Sequence, residues 1–157
     1  MKINKRLLAI CIAIPLLVGI ISALLTSGSM ENFATLNKPF FAPPAWLFPV
    51  AWTILYVLMG ISSYLILTSG ANLGKIEEAL RIYVYQLAVN FLWPTIFFNL
   101  EWYFFAFLWL ILLWVLVALM ILKFKDISKI AAYLIIPYIL WLTFAGILNL
   151  SIWFLNR

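Results

Sequence analysis

Histidine is absent from this sequence, which removes imidazole ligation of haem or metal, and histidine acid–base chemistry, from consideration. Cysteine occurs once, at Cys11. No intrachain disulfide can form, and a lone thiol in an apolar run reads as a small apolar side chain. Charge is scarce as well: ten Lys and Arg and five Asp and Glu make up 10% of 157 residues, where a soluble domain keeps about 25%. The carboxylates Glu31, Glu77, Glu78, Glu101 and Asp126 all fall between the apolar runs. Ion-coupled transporters and pumps keep ionisable groups inside the membrane, so their absence from these runs argues against ion-driven transport. Glu77-Glu78 could serve as an acid pair, but solvated charges at a helix start account for them better.

What is abundant is apolar surface. The chain is 68% hydrophobic, with a mean hydropathy of +1.15, values that make lipid its solvent. Uncharged runs occupy 7–30, 39–74, 82–100, 102–122 and 130–156. A helix crossing the hydrocarbon needs about 20 apolar residues, and five runs are long enough. A membrane β-barrel would instead alternate polar and apolar residues in segments of about ten. The stretch Leu110-Ile111-Leu112-Leu113-Trp114-Val115-Leu116-Val117 has no such alternation. The expected fold is therefore all-α, an integral membrane bundle of five transmembrane helices forming a single domain over 1–157. The spans are placed at about 7–26, 46–68, 79–99, 102–122 and 130–155. The first run follows Lys2, Lys5 and Arg6 but exceeds the 7–15 residues of a signal-peptide core, so it reads as a retained helix.

Orientation follows from basic residues in the flanks. With the N-terminus cytoplasmic, the inner flanks hold eight (Lys2, Lys5, Arg6, Lys75, Arg81, Lys123, Lys125, Lys129) and the outer flanks two, Lys38 and Arg157. The net charge of +5 then reflects topology and contact with anionic lipid rather than nucleic acid. A cell (plasma or inner) membrane location is expected. The one long connector, 27–45, is expected to be an ordered loop, stiffened by Pro39, Pro43 and Pro44. It serves equally as a rigid connector or as a lid. Pro94 and Pro137 each remove a helical hydrogen bond, which opens space between helices. Gly19 and Ala23, one turn apart, offer a small-residue face for helix packing.

Eight tryptophans remain to be placed. Trp46, Trp102 and Trp153 fall near helix ends, where indole prefers the membrane interface; Trp109 and Trp114 face lipid or neighbouring helices. Trp52, Trp93 and Trp141 lie roughly 10 to 17 Å inside their helices, too deep for anchors. Asn90, Trp93 and Phe97 share one helical face, and Tyr138, Trp141, Ala145 and Asn149 share another. Trp52, Tyr56 and Ser63 mark a third helix. An isolated intramembrane Asn is usually interhelical glue. Asn90 and Asn149 beside three aromatic stripes at compatible depth point instead to an apolar pocket with a few polar groups, in the outer half beneath the proline-rich connector.

These residues resemble a known family, that of the translocator protein, also called tryptophan-rich sensory protein or peripheral-type benzodiazepine receptor. The resemblance runs through Leu36-Asn37-Lys38-Pro39, Pro43-Pro44-Ala45-Trp46 and Val50-Ala51-Trp52-Thr53-Ile54-Leu55-Tyr56. It continues through Leu87-Ala88-Val89-Asn90-Phe91-Leu92-Trp93-Pro94, Phe97-Phe98, Pro137-Tyr138-Ile139-Leu140-Trp141, Phe144-Ala145 and Leu148-Asn149. It implies five helices, frequent homodimers, and a cavity for porphyrins and benzodiazepine-type ligands. Carried over residue by residue, the cavity positions are Phe33, Pro43, Trp52, Tyr56, Asn90, Phe97, Trp141 and Ala145. Trp93 and Asn149 join them from the stripes above. No cofactor is required, and porphyrin enters as a ligand, with no metal site. The resemblance also associates Trp52 and Trp141 with light-dependent breakdown of protoporphyrin, either as enzymatic turnover or as photochemistry of a bound dye. The animal cholesterol motif is missing, since Leu150 and Phe154 stand where it needs a tyrosine and a basic residue. Three functions follow as expectations: a receptor or sensor that binds tetrapyrroles and modulates their level, a photodegrading protein, and a passive tetrapyrrole transporter.

Overall fold

The computed structural model describes residues 3–157, so Lys2 of the basic N-terminal cluster lies outside the described residues. Every regular element among them is helical. Helix α1 spans Lys5–Thr26 and runs through a short 3-10 turn, Ser27–Ser29, into α2, Met30–Thr35. Then come α3 (Leu47–Leu67), α4 (Leu73–Pro94), a π turn (Thr95–Asn99), α5 (Tyr103–Lys125) and α6 (Lys129–Leu155). Asparagine or serine starts three of the long helices. Asn4 Oδ1 accepts from Leu7 N–H, Asn72 Oδ1 from Gly74 N–H and Ser128 Oγ from Ala131 N–H, each satisfying an orphan first-turn donor.

The boundaries depart from the expected ones where capping outweighs hydropathy. Helix α4 begins at Leu73 rather than 79 because Asn72 caps it, so Lys75, Glu77, Glu78 and Arg81 lie in its first turns. Half of the first connector is helical, since its prolines begin only at Pro39. Pro94 ends the α geometry of its helix and is followed by the π turn, whereas α6 continues through Pro137 and α1 through Pro15, which hydropathy alone did not single out.

The bundle is apolar outside, and its largely apolar core also holds a set of buried polar side chains. Ile10, Ile14, Leu17, Ile21 and Leu24 of α1 are exposed, as are Leu108, Ile111, Leu112, Val115 and Leu119 of α5. A continuous surface of this kind suits hydrocarbon and not water. Ser22, Thr26, Ser62, Ser63, Gln86, Asn90 and Asn149 are buried instead, and each bonds a partner, as lipid-facing proteins require. Ser22 Oγ donates to the Phe91 carbonyl of α4 at 3.0 Å, and Ser62 Oγ to Ala131 of α6 at 2.7 Å. Trp109 and Trp114 join helices too: their indole N–H groups donate to the Val89 carbonyl at 2.8 Å and to Thr143 Oγ1 at 2.9 Å. At Gly60 of α3 the backbones of two helices meet closely, since a Cβ there would fall on the backbone of Cys11 and Ile12 in α1. At Gly19 the nearest neighbour is the Tyr56 ring of α3, which packs where a side chain would otherwise stand.

Cross-links tie each end of the bundle. At one, the Asn4 N–H donates to Tyr64 Oη at 3.1 Å and Lys123 pairs with Glu78 at 2.7 Å. At the other, the first connector is fastened on both sides. Ser29 Oγ bonds Asn99 Oδ1 at 2.7 Å and Asn32 Nδ2 bonds Glu101 Oε1 at 3.0 Å. Asn156 accepts from the Asn37 N–H and donates to the Asn37 carbonyl, both at 2.9 Å.

A candidate ligand chamber beneath the first connector

Under that fastened connector lies a cavity of about 530 Å³, within the ~300–1,000 Å³ of small-molecule sites. Proline and glycine shape it. Pro94 lines it where α4 loosens, and Gly19, also in the lining, lets the Tyr56 ring pack against α1. Its ceiling is Thr26, Met30 and Phe33, from the end of α1 and from α2. Lys38 Nζ lies 4.7 Å over the Phe33 ring but is not in the lining, and no charged side chain lines the chamber among the described residues.

The walls are aromatic. Trp52 stacks on Tyr56 at 5.5 Å, and Trp93 on Phe97 at 5.2 Å. Phe97 meets Phe33 edge-on at 5.9 Å, closing wall to ceiling. Trp141 meets Phe48 of α3 edge-on at 6.0 Å. Such offset and T-shaped contacts let the quadrupoles of neighbouring rings attract and hold the walls stiff. Asn149 fixes one of them: its Oδ1 accepts from Trp93 Nε1 at 3.3 Å, and its Nδ2 donates to the Tyr103 carbonyl at 2.7 Å. The Trp141 indole N–H is buried and has no acceptor. Ile20, Ala23, Pro49 and Thr53 line the chamber between α1 and α3 yet stay exposed, so that side is not sealed.

Of the residues singled out from sequence, Phe33, Trp52, Tyr56, Asn90, Trp93, Phe97, Trp141, Ala145 and Asn149 all line this one space. Pro43 does not; it sits half-buried in the connector, although Ala45, two residues on, is in the lining. Ser63 is not in the lining either, because its hydroxyl bonds the Gly60 carbonyl of its own helix. Trp46 and Trp102 are exposed outside the chamber. Two buried polar residues behind the wall, Gln86 and Tyr138, were not assigned to the site. Tyr138 shares a stripe with Trp141, and Gln86 lies one turn before Asn90, which were the available cues. No group of histidine, cysteine and carboxylates able to hold a metal occurs among the described residues.

An aromatic chamber enclosed by long apolar helices defines a class, the helical multi-pass membrane proteins with an internal small-molecule-sized cavity. Within it the chain belongs to the TspO/MBR family, whose pattern residues 11–154 match. It is 35% identical to the tryptophan-rich protein TspO of Chlorobaculum tepidum, over 98% of this chain and 99% of that one. It is 37% identical to protein CrtK of Rhodobacter capsulatus, over 88% and 85% of the two chains. The translocator protein of Bos taurus is 35% identical over 89% of this chain and 84% of its own.

Proposed function

We propose that this protein is a membrane receptor for tetrapyrroles, taking a flat macrocycle such as protoporphyrin into the chamber and thereby modulating porphyrin levels. The observation that carries this reading is the set of four rings, Trp52, Trp93, Phe97 and Trp141, facing one uncharged space of about 530 Å³. A planar π-system gains from stacking against such walls. A relative named tryptophan-rich sensory protein in Cereibacter sphaeroides, 36% identical over 80% of this chain, is consistent with a sensing role. Binding would be by stacking and shape, with no histidine to ligate a haem iron. The receptor is taken to sit in the cell membrane as a homodimer with its N-terminus cytoplasmic. Titrating purified protein with protoporphyrin, in darkness and in light, tests the proposal. Saturable quenching of porphyrin fluorescence in the dark supports it; absence of quenching overturns it. Loss of porphyrin only on illumination would favour the second reading, photodegradation, for which the indoles of Trp52 and Trp141 lining the chamber supply oxidisable rings.

A further inference from the structure

The polar groups at the deep end of the chamber form one directed array across three helices. Tyr56 Oη donates to Asn90 Oδ1 at 2.7 Å, Asn90 Nδ2 to Tyr138 Oη at 2.7 Å, and Tyr138 Oη to Gln86 Oε1 at 2.9 Å. The array ends where Gln86 Nε2 meets Met59 Sδ at 3.7 Å. Its direction is set at that far end. A thioether can only accept, so the Gln86 amide turns its NH2 toward Met59 and its oxygen toward Tyr138. Tyr138 gives its single proton to that oxygen and must accept from Asn90. The Asn90 oxygen is thereby turned to Tyr56, whose single proton it takes. Met59 and Gln86 are wholly buried and Tyr138 and Asn90 nearly so, which leaves no solvent to reverse the order. Buried bonds in sequence polarise one another, reinforcing a common direction.

Only Tyr56 and Asn90 of the five line the chamber. Tyr56 arrives there with lone pairs and no free proton. We propose that Gln86, acting through Tyr138 and Asn90, is a positioning residue that makes Tyr56 Oη a hydrogen-bond acceptor toward the chamber. Among flat apolar ligands the site then selects those carrying an N–H. Asn90 keeps a second amide proton for which the structure shows no acceptor, so the selection concerns Tyr56 specifically. This inference rests on the chamber being the ligand site and adds the chemistry it prefers.

The test uses phenanthridinone, a flat lactam with one N–H, and its N-methyl derivative, titrated separately into the full-length protein and followed by tryptophan quenching. The N–H probe should bind about five- to tenfold more tightly, as one net hydrogen bond allows. Tyr56→Phe, which removes the acceptor, should bring the ratio of the two affinities to about one. In Gln86→Leu the far acceptor is gone, so Tyr138 can donate to Asn90, the Asn90 amide turns over, and Tyr56 regains a free proton. The preference should fall or invert although no chamber-lining residue has changed, which a purely structural role for Gln86 would not produce. Should Gln86→Leu fail to fold, Met59→Leu, which removes only the terminal sulfur, should lower the ratio in the same direction. Equal binding of the two probes by the parent protein, or by contrast an unchanged ratio in Tyr56→Phe or in the folded far-end variant, overturns the inference. Protoporphyrin quenching retained in that event leaves the receptor proposal standing.

Discussion

Replacing Gly60 by alanine should separate α1 from α3, and the structure gives both the size of the effect and a reporter for it. A Cβ at Gly60 would collide with the Cys11 carbonyl and the Ile12 backbone. Backbone cannot rotate aside as a side chain can, so the whole crossing must open. Overpacking of this kind costs about 1–3 kcal/mol. Against it stands the helix preference of alanine over glycine, at most ~1 kcal/mol. Gly146 of α6 is the control, since nothing lies within 4 Å of the Cβ it would gain, and Gly146→Ala should be neutral or slightly stabilising. The propensity gain is common to both helical positions and cancels between them, so the two variants should differ by the overpacking cost alone, roughly 1–3 kcal/mol. Cys11 is the only cysteine and is 4% exposed at this crossing. Its reaction with a thiol-reactive dye in detergent, followed with temperature, reads the helix separation directly. Gly60→Ala should expose the thiol at a lower temperature than the parent and Gly146→Ala should not. If Gly60→Ala protects Cys11 as well as the parent does, the backbone crossing is not the close contact described.

The tryptophans should separate by position. Trp52→Phe or Trp141→Phe keeps most of the stacking surface but removes an oxidisable indole, so porphyrin affinity should fall modestly and any light-dependent degradation by a large factor, while Trp102→Phe, outside the chamber, changes neither; equal losses from Trp102→Phe and Trp141→Phe would mean the indoles act through global stability. Because the Trp141 N–H has no acceptor, Trp141→Phe should cost less in thermal stability than Trp109→Phe, whose indole bonds the Val89 carbonyl. Asn156→Ala removes both bonds to Asn37 and should speed limited proteolysis within 36–46 with little change in melting temperature; an unchanged digestion pattern would show that the connector is held by other contacts. A reporter fused after Arg157 should be active only when placed outside the cytoplasm, and activity inside would reverse the orientation drawn from the basic residues.

Much of the fold is legible because lipid imposes a simple rule. Lengths of uncharged sequence locate the five long helices, and the shifts that the structure makes, such as the start of α4 at Leu73 rather than 79, come from a capping asparagine that hydropathy does not weigh. Much of the site is legible for a different reason. In a chain this apolar, Asn90, Asn149 and the deep indoles are conspicuous, and their helical spacing puts them on common faces. Pro43 lies outside the chamber lining; the path of the connector depends on long-range bonds such as those between Asn37 and Asn156, which residue order does not show.

Sequence by itself determined the solvent, the number of long helices, the family and the residue types available to a cavity. Only the tertiary structure decided which helix faces meet, that Gly60 rather than Gly19 carries the backbone crossing, and that Met59, Gln86, Tyr138, Asn90 and Tyr56 form one line. The physical reason is that a lipid-embedded helix is apolar on every side, so the amphipathic stripe that orients a helix in a soluble protein is absent. Orientation passes instead to a few hydrogen bonds and close packing contacts between helices, and these exist only once the helices have come together.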